Sequence, residues 1–299
     1  MMRMGGPNRS LLAVTVVLAA SLVASSEQRP VASHEASAPL AAAENVIAPP
    51  AVPVVAELAA PVVLTPAPAP KPGPYAVPVL MYHYIADLTT EQADDALARD
   101  LHLSPALFAQ QLAFLIDQGY HPITARTLRR NLSRSGVLPE RSVVLTFDDG
   151  YVDAYTNAFR LLRERGLSGT FFVTVNLVGR PGYLTWDQVR EMSAAGMDIE
   201  SHAMDHVSLA KRGGAPLLAQ LSDSRRILSE RTGTDVRLLA YPNGEYSDET
   251  IAAATQAGYD GGFLKAGGSL QSADWAFALR RTRVAGGTGA IGLRSLLLR

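Results

Sequence analysis

Between Val77 and Ala285 the chain alternates short apolar runs with longer segments that close on glycine, and this alternation restricts the fold more than any single motif. The runs "VPVLMYH" (77–83), "SVVLTF" (142–147), "GTFFVTV" (169–175), "MDIES" (197–201) and "VRLLAYP" (236–242) have the length and side chains of buried strands. "YDGGFL" and "RTRVA" supply the last strands. Helices are predicted between them. Ser104-Pro105 is an N-cap followed by proline at the first helical position, and that helix runs to Gln118, before Gly119. Further helices are expected over about 152–165, 185–196, 216–231 and 247–258. Strand–helix alternation implies a parallel sheet with helices outside it, in one domain of ordinary size for an α/β barrel. In such sheets binding sites form at the C-terminal ends of the strands.

Four features fall at those ends: His83, Asp148-Asp149, "SHAMDH" (201–206) and Tyr241-Pro242. In "VVLTFDDGY" two acids follow a buried run. Neighbouring strand residues point to opposite faces, so a strand continued through both would bury one carboxylate at a cost. The strand is therefore expected to end near Asp148, with Gly150 turning the chain. A bare turn signal is the plain alternative for that stretch taken alone. His202 and His206 stand four apart, so both rings can face one ion. Two histidines and one carboxylate, with a position open for water, form a catalytic metal arrangement. Asp149 ranks first as the carboxylate. Asp205 is its rival or a supporting group.

The formal net charge of −1, without a basic patch, argues against nucleic acid as a partner. Cysteine is absent, which excludes disulfides, thiolate metal sites and a cysteine nucleophile. A serine acyl hydrolase would need a Gly-x-Ser-x-Gly elbow, and none is present.

Together, "LTFDDGY", "SHAMDH" and "AYPNGEY" resemble the polysaccharide deacetylases, the NodB-homology carbohydrate esterases. The flanking "VPVLMYHYI", "FAQQLAFLIDQGYHPIT" and "LTWDQVREM" resemble the branch acting on poly-β-1,6-N-acetylglucosamine of biofilm matrix. The resemblance covers nearly all of residues 77–285. It implies a distorted (β/α)7 barrel and a metal-dependent N-deacetylase. It further implies a divalent metal held by Asp149, His202 and His206: zinc, with cobalt or nickel as substitutes. By the same resemblance Asp148 is the general base, and the Tyr241 backbone N–H is an oxyanion donor. Most relatives take their general acid from a histidine near the end of the domain. This chain has none after His206, leaving His83, His102 and His121. His83 alone sits at a strand end, and the biofilm branch draws its acid from an early Tyr-His motif that "MYHY" matches. His102 and His121 are read as structural. Many relatives orient the base with an arginine two residues before the third-motif proline. Ala240 stands there, so Arg281, flanked by Arg280 and Arg283, is expected to substitute. Asn243 replaces a frequent aromatic, and Asp274-Trp275 is read as an exposed loop pair.

Residues 1–26 carry Arg3 and Arg9 and the apolar run Leu11–Val23, which fits a secretory signal peptide, with an uncleaved anchor as alternative. Residues 27–74, rich in Ala and Pro, are expected to be a disordered tether, and residues 75–299 the catalytic domain. The expected protein is a monomer that is secreted, periplasmic or at the cell surface and acts on an N-acetylglucosamine polymer. Peptidoglycan and chitin oligomers are the alternative substrates. An inactive sugar-binding module is the alternative of another class, against which stands the retention of Asp148, Asp149, His202, His206 and His83.

Overall fold

The structure, a computed structural model, describes residues 74–134 and 136–298. The expectations for a signal peptide or anchor, and for all but the last residue of the tether, lie outside the described residues. Among the described residues no helix is long and apolar enough to cross a membrane.

The strands are β1 (Tyr75–Ala76), β2 (Val79–Tyr82), β3 (His121–Ile123), β4 (Ser142–Phe147), β5 (Thr170–Val173), β6 (Asp198–Ser201), β7 (Leu238–Ala240), β8 (Gly261–Phe263), β9 (Leu270–Gln271) and β10 (Thr282–Arg283). The α-helices are α1 (Ala96–Leu101), α2 (Pro105–Asp117), α3 (Ala125–Arg134), α4 (Arg160–Arg163), α5 (Trp186–Ala194), α6 (Gly214–Thr232), α7 (Asp248–Gln256) and α8 (Ala290–Leu297). A π-helical stretch, Ala154–Phe159, leads into α4.

Seven strands run parallel in the order β10-β2-β4-β5-β6-β7-β8. Strand β3 pairs with the start of β4, off this path. From β8 the chain bonds toward β10: Leu264 N–H donates to Leu279 O and Gly267 N–H to Arg281 O. This is the expected distorted (β/α)7 barrel.

Alternation along the strands separates two cores. Leu80, Leu145, Phe171, Ile199 and Leu239 face the helices. Val79, Val144, Phe172, Leu238 and Phe263 face inward, where Ala125, Leu128 and Leu132 of α3 join them. Continuing the inward register by two residues brings β2 from Met81 to His83, β4 from Thr146 to Asp148, and β6 from Glu200 to His202. The period of two therefore sends one residue from each of three strand ends over the same opening. Deeper in the barrel, Glu200 is fully buried and pairs with Arg126 at 2.7 Å, while accepting the N–H groups of Arg237 and Leu238.

Candidate active site

The β4 end shows how two adjacent acids share one site. Asp148 N–H still donates to Tyr82 O at 3.0 Å, so this residue remains in the sheet register. Asp149 then takes φ +73° and Gly150 φ +85°. The left-handed step turns Asp149 back into the opening instead of away from it. Aspartate tolerates this conformation better than most residues, and glycine adopts it freely.

Asp149 is held between two imidazoles. Its Oδ1 lies 3.3 Å from His202 Nε2 and 3.3 Å from His206 Nε2. The three groups can each offer a ligand atom within 4.8 Å of the others. His202 is oriented from behind, its Nδ1 lying 2.8 Å from Ala240 O, which leaves Nε2 to face Asp149. Two observations test the fit of a cation here. Asp149 Oδ1 is buried with no hydrogen-bond donor. Burial opposes a charge on the His202 ring, yet contact with Asp149 and the nearby Asp148 charge outweigh it and raise its pKa. The orphaned carboxylate oxygen invites positive charge, although burial and His202 lower the His206 pKa, and the N, N, O donor set suits a divalent transition metal.

Asp148 is 3% exposed and Arg281 1%. Arg281 Nη1 donates to Asp148 Oδ1 at 2.6 Å and Nη2 to Oδ2 at 2.9 Å, a two-pronged pair. The guanidinium also reaches Thr146 Oγ1 and Leu264 O and lies over the Phe172 ring. Burial alone would raise the Asp148 carboxyl. The Arg281 charge overcomes it, with help from His202 and His83, and holds the pKa below the ordinary value. Neighbouring Arg283 pairs with Asp100 instead, and Arg280 bonds Gly267 O, so Arg281 alone of the three meets Asp148.

His83, Asp148, Asp149, His202, His206 and Arg281 line one cleft of about 250 Å³. Burial lowers the His83 pKa more than Asp148 and Asp149 raise it. Asn243 and Tyr241 also line this cleft. The expectation for the Tyr241 backbone requires correction. Its N–H donates to Phe263 O at 3.2 Å, within the hydrogen bonding between β7 and β8, so it is not a free oxyanion donor. Asp205, the rival ligand, is turned away to Asn176 and Gln220.

His102 stacks on Tyr84 at 4.1 Å, and His121 is exposed on β3; neither lines the cleft. Asp274 and Trp275 lie on a helical turn away from it. Sequence reasoning missed Tyr151, Lys265, Leu97 and Leu101 in the lining. Tyr151 directly follows the Asp-Asp-Gly turn, and Lys265 follows β8, so the strand-end rule reaches both. Leu97 and Leu101 come from a six-residue helix whose one sequence signal is its N-cap, Asp95, which the sequence reading passed over.

The profile of the family described as polysaccharide deacetylase matches residues 135–262. YxkH of Bacillus subtilis (strain 168), named as a polysaccharide deacetylase, is 30% identical over 214 residues, spanning 72% of this chain and 73% of its own. The poly-β-1,6-N-acetyl-D-glucosamine N-deacetylase of Staphylococcus aureus (strain MRSA252) is 25% identical over 181 residues, 55% of this chain and 61% of that protein. The chain thus matches less than two thirds of the staphylococcal enzyme. Among solved structures, the Streptococcus pyogenes deacetylase PplD in complex with acetate superposes with a TM-score of 0.70 at 29% identity, covering 75% of this chain and 99% of that one. With fold and sequence in agreement over most of both lengths, the chain belongs to the polysaccharide deacetylase family.

Proposed function

We propose that this hydrolase removes N-acetyl groups from an N-acetylglucosamine polymer, and that poly-β-1,6-N-acetylglucosamine is its substrate. The observation that carries the reading is the pairing of Asp148 with Arg281 beside the Asp149–His202–His206 cluster in one cleft. The activity for which the staphylococcal relative is named supports the choice of polymer.

Asp149, His202 and His206 would hold the metal. When bound, a divalent cation polarises the amide carbonyl and makes water acidic enough to attack near neutral pH. Asp148 takes the proton of the attacking water. Arg281 keeps that carboxylate ionised and fixed in orientation, and each oxygen retains a lone pair beyond the one given to the guanidinium. The carbon–nitrogen bond then breaks. In its protonated form His83 gives a proton to the departing amine; its lowered pKa makes that imidazolium a stronger acid and a less populated one near neutral pH. One water is consumed, and acetate and a glucosamine unit leave. On sequence alone, the proposal includes an N-terminal secretory or anchoring segment with a tether, placing the enzyme outside the cytoplasm.

The test is acetate release from poly-β-1,6-N-acetylglucosamine by the metal-stripped chain reloaded with zinc, cobalt or nickel. Asp148→Asn and His83→Ala should each cost about 10²–10⁴-fold in kcat. Release only from peptidoglycan or chitin oligomers would move the substrate and keep the chemistry. No release from any of the three would overturn the proposal.

A further inference from the structure

Asp205 lies between the two histidines and takes no part in the cluster. Both its oxygens are engaged: Asn176 Nδ2 donates to Oδ1 at 2.8 Å and Gln220 Nε2 donates to Oδ2 at 2.7 Å. The N–H of Asp205 donates back to Gln220 Oε1 at 2.9 Å. Gln220, on α6, therefore grips both the side chain and the backbone of one residue. The backbone repeats the pattern on either side. Met204 N–H donates to Gln220 O, Asn176 N–H to Met204 O, and Val175 N–H to Ala203 O.

This loop needs outside support. Ala203 is buried at φ +66°, a left-handed conformation that is costly for a residue with a Cβ. His202 is fixed by the end of β6 and the Ala240 carbonyl. His206 comes four residues later with a side chain 37% exposed, so its place against Asp149 depends on the course of the loop.

We propose that Asn176, Asp205 and Gln220 form a clasp that sets His206 against Asp149 before a cation arrives, so that Gln220 is a positioning residue for metal affinity although it lies outside the cluster. The inference rests on the metal-site reading above. Second-layer hydrogen bonds of this kind change metal affinity about 10–100-fold.

Charge exchange across the clasp separates positioning from simple packing. Asp205→Asn alone leaves one acceptor for two donors, so the new amide N–H meets that of Gln220 or, when turned, that of Asn176. Gln220→Glu alone sets two carboxylates together. The double variant restores complementarity with donor and acceptor reversed: the new amide at 205 donates to the new carboxylate at 220, which still accepts the backbone N–H. The full chain is stripped of metal. Zinc affinity is measured by competition with a chelating dye, coordination by the visible spectrum of the cobalt form, and folding by the metal-free melting temperature. Each single variant should weaken zinc binding about 10–100-fold and alter the cobalt spectrum, and the double variant should recover most of both. The milder Asn176→Ala, which keeps the Gln220 contacts, should show a smaller loss. Single variants that bind zinc like the wild type, or a double variant no better than the weaker single, overturn the clasp. A wild-type chain that binds no zinc or cobalt overturns the metal-site reading itself, and the clasp with it.

Discussion

Arg281 and Asp148 place opposite charges inside the barrel at 2.6 Å, each almost wholly screened from water. Replacing one partner strands the other, so Arg281→Met should cost about 3–5 kcal/mol in urea unfolding. The same change has a signed effect on activity. The Asp148 pKa is depressed in the folded chain, chiefly because Arg281 outweighs burial. The stability from the pair is therefore present above the ordinary carboxylate pKa of about 3.9 and is lost as pH falls through the lower folded value. Without Arg281, burial acts with less opposition and the pKa rises. The acid limb of kcat/KM should then move to higher pH, and Arg281→Lys, a point charge without the fork, should move it less. A limb that stays in place while the rate falls would refute the assigned role. At this scale much was legible. His83, Asp148, Asp149 and the two histidines could be named because strand ends converge in a parallel barrel. Arg281 was one of three neighbouring arginines that the family resemblance offered in place of one at Ala240, and only the fold sets it against Asp148. The occupied N–H of Tyr241 was not legible, because its partner, Phe263, is on another strand and only the register of β7 with β8 brings them together.

Strand β8 carries a small residue for a reason visible only in the fold. A Cβ at Gly262 would sit 2.7 Å from Cζ of Tyr241, which is buried and donates its hydroxyl to Phe277 O. Gly262→Ala should destabilise the chain by about 1–3 kcal/mol, as overpacking of a filled core does. Because Tyr241 also lines the cleft, KM should rise with it. Unchanged stability and kinetics together would show that the ring moves freely. Among the elements, strands with apolar runs and helices with clear caps were readable. Ser104, Thr185 and Ser247 cap α2, α5 and α7 as their sequences suggest. The sequence expectations place no element between Gly119 and Ser142, yet β3 and α3 lie there. Three residues including Pro122 give too short a pattern for a strand. The apolar stripe of α3, Ala125, Leu128 and Leu132, is hidden among arginines, because only that stripe enters the barrel. The two-residue β1 and β9 exist only by pairing with each other across the chain.

For the molecule as a whole, two places carry predictions about stability: the proposed metal site and the first strand. A cation that binds only the folded chain should add about 2.7 kcal/mol at a free concentration 100 times its Kd. That corresponds to about 2–4 °C in Tm for each kcal/mol at this domain size. Chelation should reverse the shift, and Asp149→Ala should abolish the metal-dependent part. The start of the domain carries the other prediction. Val77 is 3% exposed, its N–H donates to Ser269 O at 2.8 Å, and its carbonyl accepts from Gln271 Nε2 at 3.2 Å. Tyr75 adds a hydroxyl bond to Gly136 O. Gln271 is buried and also bonds both backbone groups of Arg280, next to Arg281. A chain beginning at residue 74 keeps all of these contacts and should match the full chain in stability and acetate release. A chain beginning at residue 79 loses the burial of one valine, about 1.5–3 kcal/mol, and about 1 kcal/mol for each hydrogen bond. It also leaves Gln271 short of a partner beside Arg280, in the segment that carries Arg281 into β10. Its unfolding midpoint should fall, and its acid limb should drift upward in the direction expected for Arg281→Met. Equal midpoints for the two truncated chains would remove β1 from the domain and move the boundary past Val77.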